Sequence, residues 1–239
     1  MKKQIWWSLL LIATSCSADY INDLSSFLLL HEQDCKELVD QHEYVRAHSI
    51  IESDNCSIFQ AYINLKNAIP YRSLGSFPTP IRQISTHLFM KDDGLSAKNS
   101  SLFGGNKIRK LEFLLADALN QKRKSVITLG CLGSSHAVAT ACYCQELDVD
   151  CWLLLKPQPI NEFIRKNRKL MEVYGAHVKE CSSHDVRMKE TVQTIIARKK
   201  NDGMLPYVIP TGGSTPLGCV GFVNAAFELK HQIAQGLMP

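Results

Sequence analysis

The amino-acid sequence predicts an α/β fold built on a parallel, doubly wound sheet, and three observations carry that prediction. From about residue 84, short apolar segments typical of strands alternate with segments of helical periodicity. Glycine, proline and serine residues occupy the turns between them. The composition, with 45% hydrophobic and 21% charged residues, is that of a globular chain and argues against a disordered or collagen-like one. Regular strand–helix alternation indicates parallel strands joined by right-handed crossovers.

The strongest strand candidate is residues 125–129, with the sequence Ser-Val-Ile-Thr-Leu. Further strands are predicted at residues 86–91, 151–155, 176–180 and 207–209. A helix is predicted where apolar residues follow the spacing i, i+3, i+4, i+7 and i+8, which places them on one helical face: Leu111, Leu114, Leu115, Ala118 and Leu119. Helical patterns also cover residues 137–147, 164–174, 186–199 and 217–233.

The N-terminus has the features of a targeting segment. Lys2 and Lys3 precede a short apolar run, and small residues then lead to Cys16. The run is shorter than the ~20 apolar residues that span a bilayer. The junction resembles a bacterial lipobox, although Ala13 stands where leucine is usual. We expect residues 1–15 to be a signal peptide and Cys16 to carry a lipid that anchors the chain to the periplasmic side of the cell envelope. A plain signal peptide, or a buried helix in a cytoplasmic protein, is the alternative.

Residues 16–68 are predicted to be an N-terminal extension with short helices, and a turn-rich boundary at residues 71–80 opens the segment 69–239. Cys35 and Cys56 either pair in an oxidising compartment or pack as free thiols, and the sequence leaves both open. Lys and Arg number 27 against 23 Asp and Glu, a net charge of only +4, so we expect no nucleic-acid partner. We identify no metal site.

In doubly wound sheets, ligands bind beyond the carboxyl ends of the strands, so the chemistry is expected in the loops that follow them. The loop at residues 103–110 carries paired glycines before Lys107, which lies at a predicted helix start beside Arg109 and Lys110. Cationic neighbours and a helix N-terminus both disfavour the ammonium form of Lys107 and favour a nucleophilic amine. A solvated lysine on an amphipathic helix is the alternative.

Two more loops join a predicted strand to a helix. Residues 130–136 end in Ser134, Ser135 and His136, and hydroxyls and free amides at a helix N-terminus suit a carboxylate or phosphate. A hydrolase is not indicated, because the Gly-x-Ser-x-Gly pattern is absent. Residues 210–218 place Gly212 and Gly213 in the same setting. Together the loops predict a site for a cofactor or a small acid.

The segment Gly-Gly-Asn-Lys-Ile-Arg-Lys-Leu-Glu at residues 104–112 resembles the signature of the 1-aminocyclopropane-1-carboxylate deaminase / D-cysteine desulfhydrase family. The resemblance covers about residues 69–239 and includes the Gly-Gly-Ser segment at residues 212–214. It implies a pyridoxal-phosphate enzyme of fold type II, in which Lys107 forms a Schiff base with the cofactor and moves the substrate's α-proton. It further implies that Ser134 is catalytic and binds the substrate carboxylate, together with His136.

By the same resemblance, Lys110 lies near the cofactor phosphate, and Ser135 binds the cofactor at a position where the family has asparagine. Cys131 and Gly133 also depart from the family pattern, which has glycine and glutamine there. The sequence ends at Pro239, while family members continue. We therefore expect a small domain at about residues 108–212 with most of the large domain and its phosphate loop missing.

The resemblance implies a lyase or deaminase acting on a small amino acid. The alternative is a truncated, catalytically inactive, lipid-anchored relative, or one half of a split enzyme. The helix at residues 217–233 carries large apolar side chains, including Phe222, Val223 and Phe227, with little chain left to bury them. The expected partners are therefore a second copy of the chain or a complementing C-terminal half, with the membrane reached only through the lipid.

Overall fold

A computed structural model describes residues 56–237. The predicted signal peptide, the predicted lipidation site Cys16 and the first residue of the predicted cysteine pair, Cys35, lie outside the described residues. Cys56 is described, and its thiol is free and buried. It donates to the Asn224 side-chain oxygen at 3.5 Å. Burial raises the pKa of the Cys56 thiol to about 12, as expected for a thiol packed in a core.

The main sheet contains the strands that the sequence predicts, in the order β5-β4-β3-β6, and its strands are all parallel. The segment predicted as a strand at residues 86–91 belongs instead to a separate antiparallel hairpin of β1 and β2. The strands are β1 (Ile81–Ser85), β2 (Leu88–Lys91), β3 (Ser125–Cys131), β4 (Asp150–Lys156), β5 (His177–Glu180) and β6 (Tyr207–Ile209). β1 was not predicted, because its side chains are mostly exposed and give no apolar signal.

The predicted helices are confirmed with shifts of a few residues at their ends. They are α1 (Ser57–Ala61), α2 (Ile108–Asn120), α3 (Ser135–Glu146), α4 (Glu162–Val173), α5 (His184–Asp202) and α6 (Pro216–Ala234). Serine, asparagine or threonine side chains cap α3, α4, α5 and α6 at their N-termini. In the part of the chain that the structure describes, every helix is too short or too polar to cross a membrane.

Alternate residues of the central strands enter two separate cores, as expected for a sheet covered on both faces. Val126 and Leu153 pack with side chains of α2, α3 and α4. Ile127 and Leu154 point to the other face, where Ile195 of α5 covers them. The doubly wound parallel architecture predicted from the sequence is therefore confirmed.

Helix α6 packs with an unusual inner face. Its buried residues are glycine or polar: Gly218, Gly221, Asn224, Glu228 and Gln232. A Cβ on Gly221 would lie 2.0 Å from the Arg109 carbonyl oxygen, so only glycine allows α6 to approach α2 this closely. The outer face is apolar, and Phe222 and Val223 are 41% and 46% exposed. The exposed side chains predicted for this helix are therefore observed at these two residues, whereas Phe227 packs against the α1 cluster.

Candidate active site

Lys107 lies at the N-cap position of α2 and is partly buried. The loop before it is fixed by Ser96, whose hydroxyl accepts from the Gly105 amide at 2.9 Å and donates to the Gly105 carbonyl at 3.2 Å. A Cβ on Gly104 would lie 2.6 Å from the Gly94 carbonyl oxygen, so glycine permits the two backbones to meet. The sequence therefore builds a rigid backbone under the Lys107 side chain.

Ser134 is the N-cap of α3, and its hydroxyl oxygen accepts from the Ala137 amide at 3.2 Å. The hydroxyl hydrogen remains able to donate to a ligand. Ser135 and His136 are the first residues of α3, where backbone amides lack partners within the helix. This end of α3 therefore offers donors and a positive dipole end to an anion, as the sequence predicts.

Lys110 joins α2 to the loop after β6. Its ammonium group donates to the Gly212 carbonyl at 3.0 Å and to the Ser214 hydroxyl at 3.3 Å. Burial, together with the positive charge of Lys107, lowers the pKa of Lys110. Gly212 and Gly213 both have positive φ, 70° and 61°, which glycine adopts without strain. The predicted first and third loops therefore meet at Lys110.

His136 is 2% exposed, and neither ring nitrogen has a hydrogen-bond partner among residues 56–237. Its Cε1 lies 3.0 Å from the position that a Cβ on Gly213 would occupy, so the ring reaches the third loop. Burial lowers the pKa of His136 to about 4, helped by the charges of Lys110 and Lys107. The ring is therefore neutral at pH 7, and a buried donor and acceptor without partners are costly. A bound ligand is the natural source of those partners.

We call Lys107, Lys110 and His136 the cationic edge. They come from α2 and α3 and are close enough for the charges of both lysines to act on His136. Ser134 and Ser135 lie at the start of the same helix as His136. The structure thus brings the predicted site residues to one edge of the sheet, at the carboxyl ends of its strands.

Arg109 was predicted to be a cationic neighbour that influences Lys107, and this prediction is wrong. Its side chain is 1% exposed and donates to Asp93 at 2.7 Å and to Glu228 at 2.8 Å. Lys91 pairs with Glu228 at 2.5 Å. We call Lys91, Asp93, Arg109 and Glu228 the ion cluster. The two carboxylates neutralise Arg109, so its charge serves to hold α2, α6 and the β1–β2 region together.

The pKa values within the ion cluster reflect that pairing. Although burial opposes ionisation, the hydrogen bonds and charges of Arg109 and Lys91 lower the pKa of Glu228. Arg109 and the Thr79 hydroxyl likewise lower the pKa of Asp93. The sequence could not reveal this cluster, because Glu228 is 119 residues away from Arg109.

Glu112, one turn further along α2, is a buried carboxyl that was also not predicted as important. Its Oε1 accepts from the Leu74 amide at 3.0 Å and the Gly75 amide at 3.2 Å. Burial raises the pKa of Glu112 to about 8. The carboxyl fixes the segment that precedes the β1–β2 hairpin, and does so mainly in its protonated form at pH 7.

The donors at the cationic edge fit pyridoxal phosphate in their chemistry. Lys107 supplies the primary amine that bonds to an aldehyde carbon. Ser134 and the first amides of α3 supply donors for an anionic group. The orphaned imidazole of His136 supplies a neutral donor and acceptor. Lys110 adds a positive charge beside the same loops.

Comparison with known proteins agrees with this arrangement. A family model described as pyridoxal-phosphate dependent enzyme matches residues 72–237. The D-cysteine desulfhydrase of Salmonella choleraesuis (strain SC-B67) is 33% identical over 178 residues, which cover 70% of this chain and 53% of the relative. A crystal structure described as an ACC deaminase homologue is 31% identical, with a TM-score of 0.60 over 75% of this chain and 54% of that one.

A crystal structure of a threonine deaminase, from the source abbreviated T.th., shares the fold, with 19% identity and a TM-score of 0.50 over 77% of this chain and 53% of that one. The predicted architecture, that of the fold type II pyridoxal-phosphate enzymes, is confirmed by these likenesses. The chain spans about half the length of the curated relatives it matches.

Proposed function

This chain belongs to the family of pyridoxal-phosphate-dependent enzymes, and we propose that it contributes the lysine-bearing part of a lyase or deaminase site for a small amino acid. The observation that carries the proposal is the cationic edge, where Lys107 and an unpartnered, buried His136 lie among the strand-end loops. D-Cysteine and 1-aminocyclopropane-1-carboxylate are the substrates we propose, because the names of the similar proteins contain them.

The residues divide the work by their chemistry. Pyridoxal phosphate supplies an electron sink for a carbanion formed at the substrate's α-carbon. Lys107 holds the cofactor through its amine and carries the α-proton. Ser134 and the N-terminus of α3 bind the substrate carboxylate, and His136 orients it by donating one hydrogen bond. Lys110 places its charge near the cofactor phosphate, and Ser135 contacts the cofactor. The products are a keto acid and ammonia, with sulfide in addition from D-cysteine.

The direct test is turnover by the full chain incubated with pyridoxal phosphate. Sulfide release from D-cysteine, or ammonia release from 1-aminocyclopropane-1-carboxylate, is expected for the unaltered chain and not for Lys107→Ala. An exposed lysine such as Lys122, which is far along the chain from the loops, provides the matched control Lys122→Ala. Equal release by all of these proteins would contradict the proposal.

A second candidate is that the chain is an inactive relative or one half of a split enzyme, and one observation favours it. The outer face of α6 exposes Phe222 and Val223, and α6 follows directly on the loop that contacts Lys110. A complementing C-terminal half, or a second copy of the chain, would bury that face. Turnover that appears only when the product of an adjacent reading frame is added in trans would favour this candidate over the first.

We further propose that Cys16 is lipidated and anchors the protein to the periplasmic side of the cell envelope. The support is the order of Lys2 and Lys3, the short apolar run and the small residues before Cys16. A Cys16→Ser variant should lose palmitate labelling and leave the membrane fraction. An intact Met1 in the purified protein, with unchanged fractionation, would contradict the proposal.

A further inference from the structure

The peptide group on either side of Gly133 is held by two side chains from outside its loop. The Gly133 amide donates to the Gln158 side-chain oxygen at 3.3 Å. The Gly133 carbonyl accepts from the Asn167 side-chain amide at 2.9 Å. Asn167 is 2% exposed, so its bond to Gly133 is made inside the protein. Both Gln158 and Asn167 follow β4, and together they fix the backbone one residue before Ser134.

The absence of a side chain at Gly133 is what makes room for Gln158. A Cβ at this position would lie 2.8 Å from Gln158 Nε2 and 2.9 Å from Ile164 Cγ1. The Gln158 amide therefore occupies the volume that a side chain at 133 would enter. Position 133 is also one where this chain departs from the family pattern.

The first residue of the same loop is fixed by another helix. Arg187 of α5 donates from Nη1 to the Gly130 carbonyl at 3.2 Å. Inside the loop, the Ser134 amide donates to the Cys131 carbonyl at 2.9 Å. With both ends held, the loop has little freedom to turn Ser134 or the first amides of α3 away from the cationic edge.

We propose that Gln158 and Asn167 are positioning residues that hold the Gly133 peptide so that Ser134 and the N-terminus of α3 face the ligand. The proposal deepens the proposed function and rests on it for the consequence in ligand binding. Gln158 acts through its oxygen as an acceptor, and Asn167 through its nitrogen as a donor. Neither residue needs to touch the ligand.

The test compares two variants of Gln158 in the full chain. Gln158→Glu keeps an acceptor oxygen at the same distance from the backbone, whereas Gln158→Met keeps the length and removes the acceptor. Hydrogen exchange of the Gly133 amide, thermal unfolding and the dissociation constant for pyridoxal phosphate are measured for each. Because one neutral hydrogen bond is lost, Gln158→Met should exchange the Gly133 amide faster and bind pyridoxal phosphate about three- to tenfold more weakly.

Gln158→Glu should restore both values to near those of the unaltered chain, and the unfolding temperature of the two variants should be similar. Unchanged exchange in Gln158→Met overturns the inference, as does faster exchange with unchanged affinity. Equal loss of affinity in both variants also overturns it, because the acceptor would then not be the active feature. If the unaltered chain binds no pyridoxal phosphate, the proposed function fails, and the exchange comparison still decides this inference.

Discussion

Arg109 and Lys110 are neighbours on α2, yet their surroundings are opposite. Arg109 donates to two carboxylates inside the ion cluster, and its charge is neutralised. Lys110, which is also buried, donates to a carbonyl and a hydroxyl and lies beside the unpartnered ring of His136. Completed polar interactions hold a fold together, whereas incomplete ones at the carboxyl edge of a parallel sheet mark a ligand site. One turn of helix thus serves both stability and binding.

The strongest challenge to this comparison is to break the ion cluster. Arg109→Leu leaves Asp93 and Glu228 without their main cation, and removing one partner of a buried ion pair costs about 3–5 kcal/mol. Urea denaturation should show this loss. Arg168→Leu is the control, because Arg168 is 49% exposed in its ion pairs and should cost less than about 1 kcal/mol. Equal effects of the two variants would mean that the cluster does not hold the fold.

Glu112 tests what burial does to a charge without a full set of partners. The pKa of this carboxyl is raised from 4.5 to about 8, so the folded protein holds a proton that the unfolded chain releases. Stability should therefore fall as pH rises from about 4.5 to 8, by up to about 4 kcal/mol from this group. Glu112→Gln should remove that fall, which denaturation at pH 5 and pH 8 would reveal. A wild-type curve that is flat over this range, matching the variant, would contradict the assignment.

His136 gives the opposite pH dependence. Its pKa is lowered from 6.5 to about 4, so the unfolded chain binds a proton that the folded protein does not. Stability from this group is present above pH 6.5 and is lost as pH falls towards 4, by about 3 kcal/mol.

His136→Gln should flatten the stability curve between pH 6.5 and 4. His87, which is exposed, provides the control His87→Gln, whose curve should follow that of the unaltered chain. Parallel curves for all of these proteins would show that His136 is not held neutral.

Lys110 is expected to matter more for binding than for stability. Lys110→Met keeps most of the side-chain volume but removes the charge, and should weaken pyridoxal phosphate binding at least about tenfold because a charge-assisted contact is lost. Its unfolding free energy should change by no more than about 1 kcal/mol. Lys98→Met is matched, since Lys98 also donates to a backbone carbonyl, at 2.8 Å, but is exposed. Equal affinities of the two variants would remove Lys110 from the cationic edge.

The sequence predicted the sheet and the meeting of its loops because both follow from general rules. Apolar strands between amphipathic helices dictate a parallel sheet, and parallel strands deliver their carboxyl ends to one edge. The inner face of α6 could not be predicted, because its buried residues, such as Gly221 and Asn224, carry no apolar periodicity. Arg109 was misplaced for a related reason, since its partner Glu228 is distant in the sequence. The clamp on Gly133 depends on side chains that only the folded chain brings together.

The most direct measurement of the central claim is to map where pyridoxal phosphate attaches. Borohydride reduction of the full chain with added cofactor fixes it covalently to the lysine that holds it, and peptide mapping then identifies that lysine. The account predicts the label on Lys107, at the cationic edge. Labelling spread over Lys91, Lys156 and Lys179 would contradict it, since Lys91 is paired with Glu228 in the ion cluster.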